Sequence, residues 1–551
     1  MFSRIWNAIK ELIKKMIGAK TIERTLHVAP VLSTQMENAI ELWSAMYKNE
    51  APWLHEPSNQ DPSRVVSLGL PALIASEKAR MAILEMQSEI TTPVEETEVD
   101  NPEYDPTPQI DPFGNVLPPS QPKTIIEETP VSDTSRAEYL ETQYKKLKPQ
   151  LRKQLEYGIA KGGLVIKPYV IMNEDSNNDT IADIEFDFIQ ADCFYPLAFD
   201  ASGHITEAAF IQTKTERDTV YRRLEYHKCS GNKVQVINKA FKSTNNLTES
   251  TDMSGLDLGS EISLTEVPEW KDIPPETTIS DVGKPLFAYF KMPEANTIDT
   301  YSPLGVSGFS RATALIKDAD LQYSRLLWEY EAGEMAVNVD RDAFQWLADK
   351  TQDTDRGHSS LGHMQQRLYR QVDVNGDELF QPYSPALRDG EYIQGLNTIL
   401  MRIEDAVALS RGTLSDAEAE ARTATELKIL KQRSFSANAE IQHALEDTLK
   451  DVIYIMNAYC TLYEITPEGE YDVSFEWDDS ILVDVDAELT KRLTLMQNGL
   501  ASKLEVRQWY FGETERQARE ALQRINEESL ETAEQEMMMN TNAFENQPPQ
   551  E

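Results

Sequence analysis

The feature that most limits how this 551-residue chain can fold is a helical pattern from Glu391 to Tyr459 that is broken once. Before the break, apolar residues recur at helical spacing, at Tyr392, Ile393, Leu396, Ile399, Leu400, Ile403 and Val407. After it they recur at Leu427, Leu430, Ala437, Ile441, Leu445, Val452, Met456 and Tyr459. Because no Gly or Pro lies between Gly412 and Pro467, we predict a second helix of roughly 50 Å, a length that suits a large assembly.

A similar helical pattern precedes this pair. It runs from Ser310 to Glu334, and its apolar residues are Ala312, Leu315, Ile316, Ala319, Tyr323, Leu326, Leu327 and Tyr330. The polar block 335–390 separates it from the helix that begins at Glu391. We therefore predict two long helices that flank a small insert.

The N-terminal half mixes helical and strand patterns. Residues 1–17 form a basic amphipathic helix that suits either a membrane surface or, more commonly, the apolar face of a protein. Further helices are predicted from Met36 to Met46, from Ala72 to Ile90 and from Arg136 to Tyr157. The acidic, Pro-rich segment 93–132 is predicted to be a disordered surface excursion.

A β-rich, mostly antiparallel module follows over residues 162–242. Strand patterns lie at 164–171, 184–189, 208–213, 220–226 and 234–237, and Ser230-Gly-Asn232 predicts a hairpin turn. Residues 243–282 are interpreted as a loop.

After Pro467, the alternation of Val473, Phe475 and Trp477 with polar residues predicts a strand. Three helices are expected next, two of them marked by capping boxes at Ser502-Lys-Leu-Glu505 and Thr514-Glu-Arg-Gln517. The tail 534–551 is predicted to be disordered.

The composition and the absence of known motifs argue against several classes of function. The formal net charge of −39 disfavours binding to nucleic acid or anionic membrane except where basic residues gather. The three cysteines are far apart, which supports neither a disulfide framework nor a zinc site. No signal peptide, phosphate-binding loop, nucleophile elbow or zinc motif is present, so we expect no enzyme activity and no cofactor.

Two local clusters of charged residues leave alternatives open. Asp373-Val-Asn-Gly-Asp377 resembles the start of a calcium loop, but the glycine is early and no Glu closes it, so a turn is favoured and no metal site is predicted. Basic residues near the helix break suit phosphate contact or ordinary helix-surface ion pairs with Glu404, Glu420 and Glu426. The candidates for phosphate contact are Arg402, Arg422 and Lys428.

Several phrases, in this order, resemble portal proteins of tailed bacteriophages, especially siphophages of Gram-positive hosts. They are Tyr157-Gly-Ile-Ala-Lys-Gly-Gly-Leu-Val-Ile-Lys-Pro, Phe188-Ile-Gln-Ala-Asp-Cys-Phe-Tyr-Pro, Ser302-Pro-Leu-Gly-Val-Ser-Gly, Ser410-Arg-Gly-Thr-Leu-Ser, Thr423-Ala-Thr-Glu, Trp477-Asp-Asp-Ser-Ile and Ser502-Lys-Leu-Glu-Val-Arg-Gln-Trp-Tyr-Phe-Gly. None is a catalytic signature; the specificity comes from their order across nearly the whole chain.

The resemblance implies an α+β, helix-rich portal-type fold with wing, stem, clip and crown, which assembles as a ring of about twelve subunits around a central channel. The implied regions are the wing at 1–307, stem helices at 308–334 and 391–409, the clip at 335–390, a tunnel loop at 410–421, a long wing helix at 422–460 and the crown at 470–533.

The resemblance also assigns roles to residues. The tunnel loop that faces DNA would contain Arg411, Gly412, Thr413, Leu414, Ser415, Asp416, Glu418 and Glu420. Docking of the packaging motor and later of the head-to-tail adaptor would involve clip residues Arg356, His358, His363, Arg367, Asp373 and Asp377. The acidic segment 416–420 favours guiding DNA over gripping it.

The implied partners are further copies of the chain, double-stranded DNA bound without sequence specificity, the terminase large subunit, the head-tail adaptor, and major capsid and scaffolding proteins, but no membrane. The protein would be assembled in the host cytoplasm and reside at the portal vertex of the virion. Two alternatives remain at this stage: a membrane-peripheral scaffold that uses residues 1–17, and a DNA-processing enzyme with an unrecognised site.

Overall fold

The computed structural model describes residues 25–26, 28, 31–55, 64–84, 86–100, 109–110, 116–117, 124–174, 180–217, 219–244, 258–339, 369–371, 380–416, 424–477, 485–512, 517–519 and 521–525. Residue contacts divide the chain into two compact units, Met1–Glu476 and Trp477–Glu551. The predicted α+β class is confirmed, because helices and an antiparallel β module occupy separate stretches of the chain.

The core of the first unit is built around helix α3 (Ser135–Lys161), which confirms the predicted helix from Arg136 to Tyr157. Its buried face is lined by Leu140, Tyr144, Leu147, Leu151, Leu155 and Ile159. The shorter helices α1 (Thr34–Tyr47) and α2 (Leu70–Ile83) pack against it. The apolar stripe of α3 thus gives both N-terminal helices a common surface to bury.

The prediction of one helix from Ala72 to Ile90 is wrong at its end. Helix α2 stops at Ile83, and Met86–Thr91 forms strand β1, in which Ser88 and Ile90 are buried while their neighbours are exposed. This alternation has the period of a strand. Strand β1 pairs with β18 (Asp472–Trp477), which confirms the strand predicted after Pro467.

The acidic, Pro-rich segment 93–132 contains regular structure, contrary to the prediction of disorder throughout. Strands β2 (Val94–Asp100) and β5 (Thr124–Pro130) pair as an antiparallel ribbon, with the short pair β3 (Gln109–Ile110) and β4 (Val116–Leu117) between them in sequence. Val, Ile and Thr, which favour strands, occupy the ends of the segment. The prediction of disorder gave more weight to the acidic, Pro-rich composition than to these residues.

Two sheets form the β-rich module, and its antiparallel character is confirmed. The strands in chain order are β6 (Gly163–Glu174), β7 (Thr180–Gln190), β8 (Phe194–Phe199), β9 (Ile205–Glu216), β10 (Thr219–Ser230) and β11 (Lys233–Thr244). The large sheet continues from β8 to β11, while β6 and β7 form a hairpin completed by β14 (Ala288–Lys291). Gly231 has a positive φ of 62° in the predicted hairpin turn between β10 and β11.

The prediction of a loop over residues 243–282 is wrong in part. Strands β12 (Ser260–Ile262) and β13 (Glu276–Ser280) both pair with β11, at its C-terminal and N-terminal halves respectively. Trp270 lies between them and is buried together with Leu264 and Val267. This connection covers one face of the large sheet, which its polar composition does not predict.

Three long helices dominate the remaining part of the first unit. They are α4 (Thr313–Ala332), α5 (Asp389–Val407) and α6 (Ala424–Leu462), and each confirms a predicted helix. Between α4 and α5, strand β15 (Ala336–Val339) pairs with β16 (Tyr369–Gln371) and β17 (Phe380–Tyr383).

The second unit contains α7 (Val485–Gln497), α8 (Lys503–Phe511) and helical residues at 517–519 and 521–525. The capping box is confirmed at the start of α8, where Ser502 Oγ accepts from Glu505 N at 3.1 Å and Glu505 Oε2 accepts from Ser502 N at 2.7 Å. The other predicted capping box and the tail 534–551 lie outside the described residues.

Candidate DNA-facing loop and its supports

Helices α4 and α5 lie side by side, and glycines allow their close approach. A Cβ atom on Gly333 would lie only 2.2 Å from Leu387 Cδ2, and one on Gly395 would lie 3.4 Å from Gln322 Nε2. Any larger side chain at position 333 would force the Leu387 side chain to move out of the gap between the end of α4 and the start of α5.

An ion pair joins the same ends of the two helices. Arg388 immediately precedes α5, and its guanidinium donates to both carboxylate oxygens of Glu329 at 3.2 and 2.9 Å. The Arg388 backbone amide donates to the same carboxylate at 3.2 Å. The hydrogen bonds from Arg388 hold the pKa of Glu329 below its ordinary value. This bidentate geometry fixes how the helix pair closes around the insert 335–387.

A buried carboxylate on α4 holds the segment that precedes α2. Asp320 accepts a hydrogen bond from Trp53 Nε1 at 2.9 Å and from the Leu68 backbone amide at 2.9 Å. Burial raises the pKa of Asp320 above its ordinary value. Helix α4 is therefore attached to the segment before α2 by two hydrogen bonds to a buried carboxyl group, which satisfy its oxygens away from water.

The chain leaves α5 through a sharp, well-defined turn. Ala408 adopts a left-handed conformation with φ of 57°, and Leu409 N donates back to Glu404 O at 3.0 Å. Gly412 has a φ of +89°, a conformation that glycine adopts without a Cβ penalty. The turn therefore lies where the sequence predicts the helix break, at residues 410–413.

Glu404 organises the loop that follows. Its carboxylate is fully buried and accepts from Leu414 N at 2.6 Å, Ser415 N at 2.9 Å and Ser415 Oγ at 2.8 Å. Asn397, two turns earlier on α5, accepts from the Asp416 backbone amide at 2.8 Å. Residues 414–416 are thus anchored to side chains of α5, residues 414–415 by the Glu404 carboxylate and residue 416 by the neutral Asn397 amide.

The guanidinium of Arg411 points back toward α5. Its Nη2 lies 2.9 Å from Asp405 Oδ2, and Arg433 Nη1 on α6 lies 4.0 Å from Asp405 Oδ1. The hydrogen bond from Arg411, followed by the charges of Arg411, Arg433 and Arg402, lowers the pKa of Asp405. Asp405 therefore connects α5, the turn and α6 electrostatically.

Helix α6 is embedded along the first unit. The buried apolar residues of its described part are Ile441, Leu445, Leu449, Val452, Ile453, Ile455, Met456 and Cys460, which include four members of the predicted stripe. Asn438 Nδ2 and Gln442 Nε2 donate to backbone carbonyls at the end of α2, at 3.0 and 3.5 Å. The middle of α6 therefore packs on the same N-terminal helix that Asp320 helps to position.

A buried arginine holds the far end of α6. Arg136, at the start of α3, is 2% exposed. Its guanidinium donates to Asn457 Oδ1 at 2.7 Å, Thr466 O at 2.9 Å, Thr461 Oγ1 at 3.0 Å, Pro467 O at 3.0 Å and Asn457 O at 3.3 Å. A cation at a helix C-terminus also interacts favourably with the helix dipole, so this end is held firmly.

The sequence model of one protein family, described as "Phage portal protein, SPP1 Gp6-like", matches residues 123–535, most of the chain. The chain belongs to this phage portal protein family. A search among curated proteins finds no match. The portal protein is thus a component of the bacteriophage virion capsid with a role in genome packaging, as the resemblance implies. Membership also implies a ring at the capsid vertex with DNA and packaging proteins as partners in general.

The structure describes only some of the residues predicted to act in this portal protein. Within the loop it brings Leu414, Ser415 and Asp416 onto side chains of α5, while Thr413 bonds Ser410 within the turn. Arg411 pairs with Asp405, and the charge of Arg402 also acts on Asp405. Other candidates lie outside the described residues or have side chains that do: Glu418, Glu420, Arg422, Lys428, Arg356, His358, His363, Arg367, Asp373 and Asp377. Residues 1–17 also lie outside them.

Sequence reasoning misjudged Glu404 and missed Asn397 in the portal protein. Glu404 was interpreted as the exposed partner of a surface cation, whereas it is buried and holds loop amides. A signal was present, because Glu404 directly follows buried Ile403 and precedes buried Val407, so it borders the apolar stripe of α5.

No helix within the described part of the portal protein combines the length and apolar character needed to cross a membrane. Among the same residues, no group of three or more His, Cys, Asp and Glu side chains is placed to hold a metal ion.

Proposed function

We propose that the chain assembles into a closed ring of about twelve subunits, as cyclic oligomers do, around a channel for double-stranded DNA at one capsid vertex. The observation that carries this proposal is the family match over residues 123–535. The wing would comprise residues 1–307, the stem 308–334 and 391–409, the clip 335–390, the tunnel loop 410–421, the long wing helix 422–460 and the crown 470–533. Helices α4 and α5, which bracket one insert, support the assignment of stem and clip.

Exposed apolar side chains on the stem helices support contacts between subunits there. Trp328 is 64% exposed on α4, Ile393 is 42% exposed on α5, and Met335 just beyond α4 is 60% exposed. Aromatic residues of this kind dominate many protein interfaces. We assign them to the surface that a neighbouring subunit covers in the ring.

The tunnel loop would line the channel and guide DNA. Its described part is built on α5 and held by Glu404, which gives the loop a defined position. The net charge of −39 limits affinity for the phosphate backbone, so DNA would pass in both directions without strong retention and without sequence-specific contacts.

The clip would dock the terminase large subunit during packaging and the head-tail adaptor afterwards, and the ring would also contact major capsid and scaffolding proteins. The chain would assemble in the host cytoplasm. It would not hydrolyse ATP itself and would act as conduit, docking platform and valve. A purified ring that hydrolyses ATP without terminase would contradict this part of the proposal.

Electron microscopy of the full-length protein tests the ring. We expect closed rings with a central hole for the natural sequence, whereas a protein that stays monomeric at high concentration would overturn the proposal.

The stem contact is tested with Trp328→Asp. A central interface Trp commonly contributes about 2 kcal/mol or more to association, so we expect this variant to remain helical by circular dichroism but to lose the rings. The matched control is Tyr301→Asp, which changes an exposed aromatic residue of the wing that is 96% exposed. Rings that survive Trp328→Asp unchanged would place the subunit contact elsewhere.

A further inference from the structure

Two arginines contact one carboxylate beside the loop, and the charge of a third acts on it. Arg411 lies 2.9 Å from Asp405 and Arg433 lies 4.0 Å from it. The positive charge of Arg402, which is on α5 like Asp405, also lowers the pKa of Asp405. The three arginines come from α5, the turn and α6, although a tight ion pair needs only one of them. We call Arg402, Arg411, Arg433 and Asp405 the arginine cluster.

The arginine cluster has a positive charge on a very acidic chain. Taken by themselves, the three guanidinium groups and one carboxylate of the cluster sum to about +2 at neutral pH, whereas the whole chain has a formal net charge of −39. The side chains of Arg411 and Arg433 are 51% and 63% exposed, and Arg402 is also exposed. The cluster therefore offers guanidinium donors to the solvent beside the proposed tunnel loop.

We propose that the arginine cluster is a weak binding site for backbone phosphates of duplex DNA, in which Asp405 competes with phosphate for the arginines. This inference rests on the proposed function, because it places the cluster within reach of DNA in the channel. Guanidinium groups bind carboxylates and phosphates in the same planar geometry, so one anion can replace the other.

The competition explains why an acid lies at the centre of a phosphate site. Each phosphate neutralised by a cation adds affinity and therefore resists sliding. Asp405 reduces that affinity without removing the cations, and Arg411 can exchange between Asp405 and a passing phosphate. If the ion pair is purely structural, neutralising Asp405 would instead change DNA binding no more than the loss of a negative charge elsewhere on the chain.

The test measures binding of a random-sequence duplex to assembled full-length rings at several salt concentrations. For Asp405→Asn we expect roughly three- to ten-fold tighter binding at low salt, and a slope of log affinity against log salt that steepens by about one for each added phosphate contact. For Arg411→Gln we expect weaker binding and a shallower slope.

The matched control is Glu391→Gln, which removes one negative charge from the other end of α5, roughly 20 Å away along the helix. A general effect of net charge would change both variants equally. If Asp405→Asn rings bind DNA no more tightly than Glu391→Gln rings, the arginine cluster is not a phosphate site, while the ring itself stands. If the natural protein forms no rings, the proposed function fails instead.

Discussion

The loop and the C-terminal end of α6 are held by side chains of opposite charge: an arginine donates hydrogen bonds at one, and a glutamate accepts them at the other. At the far end, buried Arg136 donates hydrogen bonds to acceptors on Asn457, Thr461, Thr466 and Pro467. At the loop end, one carboxylate, Glu404, accepts the hydrogen bonds of residues 414–415. Arg136 makes five hydrogen bonds, here called the far joint, and Glu404 accepts three, here called the loop joint, so we expect the far joint to stabilise the fold more.

The largest effect is expected from breaking the far joint with Arg136→Met. The substitution removes five hydrogen bonds from a buried cation to partly buried oxygens, and because hydrogen bonds to a charged group contribute about 1.5–3 kcal/mol each, we expect the free energy of unfolding to fall by about 3–5 kcal/mol. Urea unfolding followed by circular dichroism measures the change. The control is Arg152→Met, an exposed position on the same helix. If the two variants lose equal stability, the hydrogen bonds of Arg136 contribute no more to the fold than those of an exposed arginine.

A smaller and more local effect is expected from Glu404→Gln at the loop joint. A neutral amide has one acceptor oxygen in place of two charged ones, so we expect a loss of about 1–3 kcal/mol in the stability of the loop. Hydrogen exchange should show faster exchange of the Leu414 and Ser415 amides, with little change in α6. Protection of these two amides that matches the natural protein would refute the role of Glu404.

The smallest effect concerns pH and the Arg411–Asp405 pair. The pKa of Asp405 is lowered in the folded chain, so the pair stabilises the fold above the ordinary Asp pKa of about 4, and that contribution is lost as pH falls through the lowered value. For an exposed pair we expect about 0–1 kcal/mol. The difference in unfolding free energy between the natural protein and Arg411→Gln should therefore shrink from pH 7 to pH 3. A difference that grows on acidification would contradict the assignment.

Local signals predicted much of the fold. The periodicity of α4, α5 and α6 gave these helices to within a few residues, and Gly412 marked the turn because its positive φ suits glycine. The capping box at Ser502 and Glu505 was likewise predictable, because both partners lie within one helical turn. In each case the residues that determine the structure are neighbours in the sequence.

Features that depend on distant partners were not predictable. Arg136 bonds residues more than 300 positions away, and nothing near it in the sequence distinguishes it from an exposed helix arginine. Glu404 faces amides that reach it only because Ala408 turns the chain back. Strands β2 and β5 were hidden because a ribbon depends on pairing across 23 intervening residues, from 101 to 123, whose composition is typical of disorder.

The 39 residues of α6 have a further mechanical consequence. At 1.5 Å per residue the helix is roughly 58 Å long, so a rotation of only about 5° around its Arg136 end would displace the Ala424 end by roughly 5 Å, about one helical turn. The same rotation would displace Asn438 and Gln442 by roughly 3 Å, so their hydrogen bonds to the end of α2 would have to re-form. In the proposed ring, such a rotation would convert a small rearrangement at the contact between α2 and α6 into a larger movement at the Ala424 end of α6.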